Sequence, residues 1–236
     1  MRSWIRRFAL ASALAAAGLA AAALPAAAQA PALPDCPMLP RDLEVELALN
    51  ALPTHLRDGA TVLVLEGNGF VEAKKGTNAF TCEVTRRNGD IFPVCWDVQG
   101  TKVLLPVDLD AAKLRLSGTS NADIEQTIAD GYKTGRYKAP ERTGVSYMLS
   151  PIRYRIDPQG KITATAPLPH TMFYGPGLSD ADIGGQRGTV LFMNHVGPDG
   201  MIIVPVGASE KAAILAGTRS LTERFEKQIG YTPPAK

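Results

Sequence analysis

From Phe8 to Leu24 the chain carries no charge and little besides Ala, Leu and Gly, directly behind Arg2, Arg6 and Arg7. A basic start, an apolar run, the helix breaker Pro25 and the small residues Ala26-Ala27-Ala28 together predict a secretory signal peptide over residues 1–28, cleaved before Gln29. The run holds roughly 17 residues and is mostly weakly hydrophobic Ala, short of the roughly 20 strongly apolar residues of a membrane span. Residues 29–40 form a lead-in broken by Pro31, Pro34, Pro37 and Pro40. After it the pattern becomes that of a folded domain, 41–230, with a short tail at 231–236.

Asp42 to Asn50 reads as a short helix with Leu43, Val45, Leu47 and Leu49 available for burial, closed by Pro53. Thr61 to Glu66 and Gly69 to Lys74 read as strands around the turn Gly67-Asn68-Gly69, and two more β-prone runs follow on either side of Asn88-Gly89. Ser120 and Asp123 make a variant capping box ahead of Ile124, Ile128 and Tyr132, spaced four apart, with Gly135 placed to stop the helix. Strands resume at 145–149 and 152–156, the latter turning at Asp157-Pro-Gln-Gly160 into 161–166. Further apolar runs at 190–193 and 201–206 flank Gly197-Pro-Asp-Gly200, and 209–229 reads as one helix. Strands arrive as hairpins more than in alternation with helices. The expected fold is therefore α+β, a single compact domain built on antiparallel hairpins with a few helices.

One hairpin can be computed residue by residue. Asn-Gly is the strongest short signal for a two-residue type I′ turn, in which Arg87 faces Asp90. Counting outward places Val84 opposite Pro93 and Cys82 opposite Cys95, both at non-hydrogen-bonded positions where facing Cα atoms are closest. That spacing fits a disulfide, and Pro93 needs no partner there for its missing N–H. Cys36 is left over, as an unpaired or intermolecularly paired thiol.

Charge narrows the function classes. The whole chain has a formal charge of +2, and loss of the three leader arginines takes it to −1. Neither value makes an electrostatic footprint for nucleic acid, and no later run is apolar enough for stable membrane insertion. The three histidines, His55, His170 and His195, have no second His or Cys at a zinc spacing, and Asp180-Ala-Asp182 lacks the rest of a calcium loop and reads as solvated. No metal and no cofactor are expected, and the ligand and partner are not readable. Gly144-Val-Ser146 lacks the second glycine of a nucleophile elbow, and no phosphate-binding glycine pattern is present. The segment Pro167-Leu-Pro-His170-Thr-Met-Phe-Tyr stands out because two prolines restrict the backbone ahead of a single imidazole.

Gly76-Thr-Asn-Ala-Phe-Thr-Cys82, Pro93-Val-Cys95, Ser146-Tyr-Met-Leu-Ser150 and Pro169-His170-Thr-Met-Phe-Tyr-Gly-Pro176 together resemble a family of exported bacterial proteins with no assigned activity. The resemblance spans most of residues 29–236 and implies export but no chemistry. The short Asn88-Gly89 turn departs from the longer insert between the two cysteines of that family. Two function classes follow: a non-enzymatic periplasmic or envelope binding module, or a small hydrolase or transferase with His170 as general base. In the second, Ser146, Tyr147 or Asp182 would be brought close by folding. Either way the expected location is the periplasm or the medium. Intact-mass measurement of the exported protein should give a chain starting at Gln29; a mass retaining residues 1–28 would remove the signal-peptide reading.

Overall fold

The computed structural model describes residues 36–234. The signal peptide, its cleavage site and most of the lead-in lie outside the described residues. The first helix, α1 (Arg41–Asn50), starts behind Pro40, whose carbonyl accepts from the Glu44 amide at 2.9 Å, and it buries Leu43 and Leu47, four apart on one face. A 3-10 turn over Thr54–Gly59 leads into β1 (Thr61–Glu66) and β2 (Gly69–Lys74), which pair antiparallel as expected. The second hairpin, β3 (Thr81–Thr85) and β4 (Asp90–Trp96), turns through Asn88 at φ 56° and Gly89 at φ 73°. Both residues are left-handed, the type I′ geometry that an Asn-Gly pair tolerates. Its register sets Val84 against Pro93 and Cys82 against Cys95, which form a disulfide with Cα atoms 4.0 Å apart. Cys36 is buried and takes no part in that bond.

The next segment, 97–119, carries no element in the sequence reading and is in fact helical. Asp97 caps α2 (Val98–Val103) by accepting from the Gly100 amide at 2.8 Å, and α3 (Leu105–Leu116) follows after one residue with Pro106 in its first turn. Then comes α4 (Asn121–Lys133), whose Ser120 cap accepts from the Asp123 amide, with Gly135 at φ 75° beyond its end. Four strands follow: β5 (Val145–Met148), β6 (Tyr154–Ile156), β7 (Ile162–Ala164) and β8 (His170–Tyr174). Asp180-Ala-Asp182 is not a loop but a single helical turn, α5 (Asp180–Ile183), because the Ser179 amide and hydroxyl both donate to Asp182. Val190 stays exposed, so β9 is only Phe192–Met193, ahead of β10 (Met201–Pro205). The helical stretch expected at 209–229 is present as two helices, α6 (Ala208–Gly217) and α7 (Arg219–Ile229), which meet at Thr218.

The strands make one sheet in the order β2-β1-β3-β4-β5-β8-β10-β9, with β6 and β7 hung on β4. Pairing is antiparallel throughout that path except that β1 and β3 run parallel. One face is covered by α1 and α7 through Leu43, Leu47 and Phe225, which pack on Val62, Val84, Cys82 and Cys95. The other face carries Val94, Trp96, Met148, Met172 and Ile203 and is covered by Val103, Leu104 and Leu105 of α2 and α3.

Arg86, one residue beyond β3, is folded inward and buried. Its guanidinium donates to the carbonyls of Val84 and Thr85 at 2.8 and 3.2 Å and to the Glu44 carboxylate of α1 at 3.2 Å. Glu44 also accepts from the Leu65 amide at 3.1 Å, so one buried ion pair ties α1 to β1 and to the hairpin. Burial pushes the Glu44 carboxyl up and Arg86 pulls it back. Removing one partner strands the other charge in the core. Arg86→Ala should therefore cost about 3–5 kcal/mol in urea unfolding, and the double change Arg86→Met with Glu44→Met should recover most of it.

Candidate functional site

On the α2–α3 side of the sheet lies a cavity of about 290 Å³. Side chains alternate along each strand, so the register decides what forms its floor. Val94 and Trp96 come from β4, Met148 from β5, His170 and Met172 from β8, and Met201 and Ile203 from β10. The α2–α3 junction adds Leu104, Val107 and Asp108 as a roof, and α4 adds Tyr132. Apart from Asp108, charge lies at the rim, where the hairpin turn supplies Arg87 and Asp90, the β5–β6 connection Arg153, and the β9–β10 loop His195 and Asp199. A wider hollow of about 560 Å³ lies between Tyr154, Arg219 and Glu226. Of its two acids, Glu223 and Glu226, the second accepts from the Tyr154 hydroxyl at 2.5 Å.

Pro167 and Pro169 lead the chain into β8 and turn the His170 ring onto the floor, where it is 2% exposed. Nδ1 lies 2.5 Å from the Leu168 carbonyl, a pure acceptor, so Nδ1 carries the proton and donates. Burial lowers the His170 pKa foremost, and the Arg153 charge adds to that against the opposing Leu168 bond. The ring is neutral, and Nε2 is left to the cavity as an acceptor.

The other proposed partners of His170 go elsewhere. Ser146 is buried on the same face, and its hydroxyl donates weakly to the Met201 sulfur at 3.7 Å. Tyr147 points to the opposite face, its ring 5.6 Å from that of Phe80 in the core beneath α1. Asp182 is spent on the Ser179 cap. His170, Ser146, Tyr147 and Asp182 share no hydrogen bond with one another among the described residues. His55 is exposed on the 3-10 turn.

Arg87, Glu125, Asp199, His195 and Asp108 gather at the mouth, and of these the sequence singled out only His195, as an imidazole without a zinc-site partner. Arg87 donates in a fork to Glu125 of α4 at 2.9 and 2.8 Å and lies 3.8 Å from Asp199. Asp199 accepts from His195 Nε2 at 2.8 Å. That bond raises the His195 pKa; burial works to lift Asp199, but His195 and Arg87 outweigh it and hold the carboxyl low. Asp108 differs from all of these. It has no hydrogen-bond or ion-pair partner among the described residues, and burial pushes its pKa up to about 6, opposed by Arg87 and reinforced by Asp199 and Glu125. It keeps part of its surface open, and that surface lines the cavity. One signal was available for Asp108: it interrupts the apolar positions Val103, Leu104, Leu105 and Val107. The pairing of His195 with Asp199 depends on a loop conformation and had none.

Compared with known proteins, the chain matches no family model, no curated protein and no solved structure.

The sign of the Asp108 effect on stability follows from its two states. Unfolded, the carboxyl ionises near 3.8; folded, it holds its proton to about 6. Between those values the folded state binds the extra proton, so this contribution to stability is present at low pH and is lost as pH rises through 6. Asp108→Asn removes the penalty. The variant should be more stable than wild type by about 1–3 kcal/mol at pH 7.5, a gain of a few degrees in Tm, with the advantage gone near pH 4. Thermal melts at the two pH values measure it, and a variant less stable at pH 7.5 would contradict the desolvated-carboxylate account.

Proposed function

We propose that the protein is an exported binding module, without enzymatic activity, that holds a small molecule in the cavity between the sheet and α2–α3. One observation carries this reading: a largely apolar cavity is lined by polar groups that the protein itself leaves unpartnered, among them the Asp108 carboxyl, His170 Nε2, Arg153 Nε and the Tyr132 hydroxyl. A few convergent polar groups in a mostly apolar concavity are what fixes a small ligand's orientation. The hydrolase or transferase alternative needs a nucleophile or proton acceptor in contact with His170, and the ring's hydrogen bond goes to the Leu168 backbone.

Location rests on chemistry of the same kind. The basic, apolar and Ala-rich start supports export to the periplasm or the medium, as does the resemblance to an exported family. The Cys82–Cys95 bond supports an oxidising compartment. Among the described residues no helix is long and apolar enough to cross a membrane.

Trp96 makes the proposal measurable, because it lines the cavity and is the only tryptophan from Gln29 onward. A small-molecule library should contain compounds that shift Trp96 emission and raise Tm together, by roughly RT ln(1 + [L]/Kd). Met172→Phe, which fills part of the floor, should weaken them at least tenfold. A library that moves neither signal would end the binding proposal. Turnover of an ester, phosphate or glycoside panel that disappears in His170→Ala would replace it with the enzymatic one.

A further inference from the structure

We infer that the ligand is a small protonated amine with an apolar body, its ammonium on Asp108 and its carbon skeleton over the Trp96, Met148 and Met172 floor. The inference rests on the cavity being a binding site and adds the chemical class of what binds. It is carried by a comparison of the charges around the cavity. Arg87 is satisfied by the Glu125 fork, with Asp199 next. Arg153 lies 3.7 Å from Asp90 and stacks on the Phe92 ring at 4.9 Å. Asp90 in turn receives two bonds of 2.9 Å from Arg155. His195 is taken by Asp199. Arg153 and Arg155 share Asp90, and of the acids that line the cavity Asp108 alone has no cation in contact.

A second observation agrees. His170 is almost completely buried, and with its Nδ1 proton committed to Leu168 it offers the cavity an acceptor and no donor. Asp108 and His170 Nε2 therefore both accept, while the unbonded donors of the lining include Arg153 Nε and the Tyr132 hydroxyl. An anionic ligand would meet that carboxylate and lone pair, and the most loosely held cation, Arg153, already faces Asp90 at 3.7 Å. A purely apolar ligand would seal an ionised carboxylate away from water, at a cost of several kcal/mol. An ammonium neutralises the acid, and any second N–H or O–H of the ligand finds His170 Nε2. Electron-rich indole and thioether surfaces suit the carbon atoms next to a cationic nitrogen. A hard metal ion needs further oxygen or nitrogen ligands, and no group of three His, Cys, Asp or Glu side chains able to hold a metal occurs among the described residues.

Three probes with the same phenyl body separate the possibilities: 2-phenylethylamine, 2-phenylethanol and 3-phenylpropanoate, titrated at pH 7.5 into the chain from Gln29 with Trp96 emission and calorimetry as readouts. The amine should bind at least tenfold tighter than either competitor. In Asp108→Asn that preference should vanish while the alcohol binds as before. Because this variant should melt no lower than wild type, lost amine binding cannot be ascribed to unfolding. Equal or tighter binding of the alcohol or the carboxylate to wild type overturns the amine inference and leaves the cavity proposal standing. So does an amine preference that survives in Asp108→Asn. If none of the three binds while a library compound of another class does, the inference falls alone; if nothing in the whole library binds, both readings fall.

Discussion

The two-residue turn at Asn88-Gly89 is the constraint from which the rest of the molecule can be traced. Side chains in a strand alternate between faces, so slipping the hairpin by one residue would exchange every inside position for an outside one. With the observed register Cys82 and Cys95 meet beneath α1, Val94 and Trp96 reach the cavity side, and Pro93 sits where its missing N–H is harmless. Two consecutive arginines stand directly before the same turn. Arg86 goes inward to Glu44 and fastens α1, whereas Arg87 goes outward to Glu125 and Asp199 and shapes the cavity mouth. Structure and site thus diverge at one peptide bond.

That dependence explains which parts were legible in the sequence. The hairpin was computable because turn type, register and disulfide are set within a few residues of each other, with no need for distant contacts. The α4 helix was legible through its Ser120 cap and the spacing of Ile124 and Ile128 for the same reason. His170 stood out because prolines act locally on the backbone. The α2–α3 pair was missed since its start depends on Asp97, whose side chain also accepts from the Val145 amide at 3.0 Å and the Tyr174 hydroxyl at 2.8 Å, far along the chain. The parallel pairing of β1 with β3 was hidden by two hairpins that each look self-sufficient. The relation of His170 to Ser146 and Tyr147 was settled only when β5 and β8 paired. Neighbours in sequence then fell on opposite faces of the sheet.

Glu83 shows how unfavourable the cavity side of the sheet is for charge. It is buried on β3 beside the Trp96 indole, and burial, reinforced by Asp108, pushes its pKa well above the usual carboxylate range despite Arg86. A protonated acid has lost most of its quarrel with such surroundings. Asp108 lies in the same field but titrates lower, because Arg87 is near and part of its surface is open. Burial thus favours the protonated form of Glu83, whereas Asp108, titrating at about 6, carries charge at neutral pH. A carboxylate kept ionised in poor surroundings lowers stability and is available to whatever neutralises it, the combination expected where binding and stability compete.

The floor beneath Asp108 is held too firmly to adapt by moving. The Tyr174 hydroxyl donates to Asp97 and approaches the Val145 carbonyl at 3.1 Å, locking β8 to the β4–α2 corner. The fit leaves no room for side chains: a Cβ at Gly100 would come within 2.2 Å of that hydroxyl, and one at Gly144 within 2.4 Å of the Asp97 carboxylate. The backbone that carries Trp96 and Met172 is therefore held by the corner and by the pairing of its own strands. The rim is different, since Val196 is largely exposed and the 194–200 loop is anchored to the hairpin through Asp199. A rigid floor with an ionic clasp at its mouth limits the ordering that binding requires, so a small ligand with few contacts can still be held. The Met148, Met172 and Met201 side chains supply the remaining adaptability within that fixed frame, because an unbranched thioether can change rotamer without moving the strand that carries it.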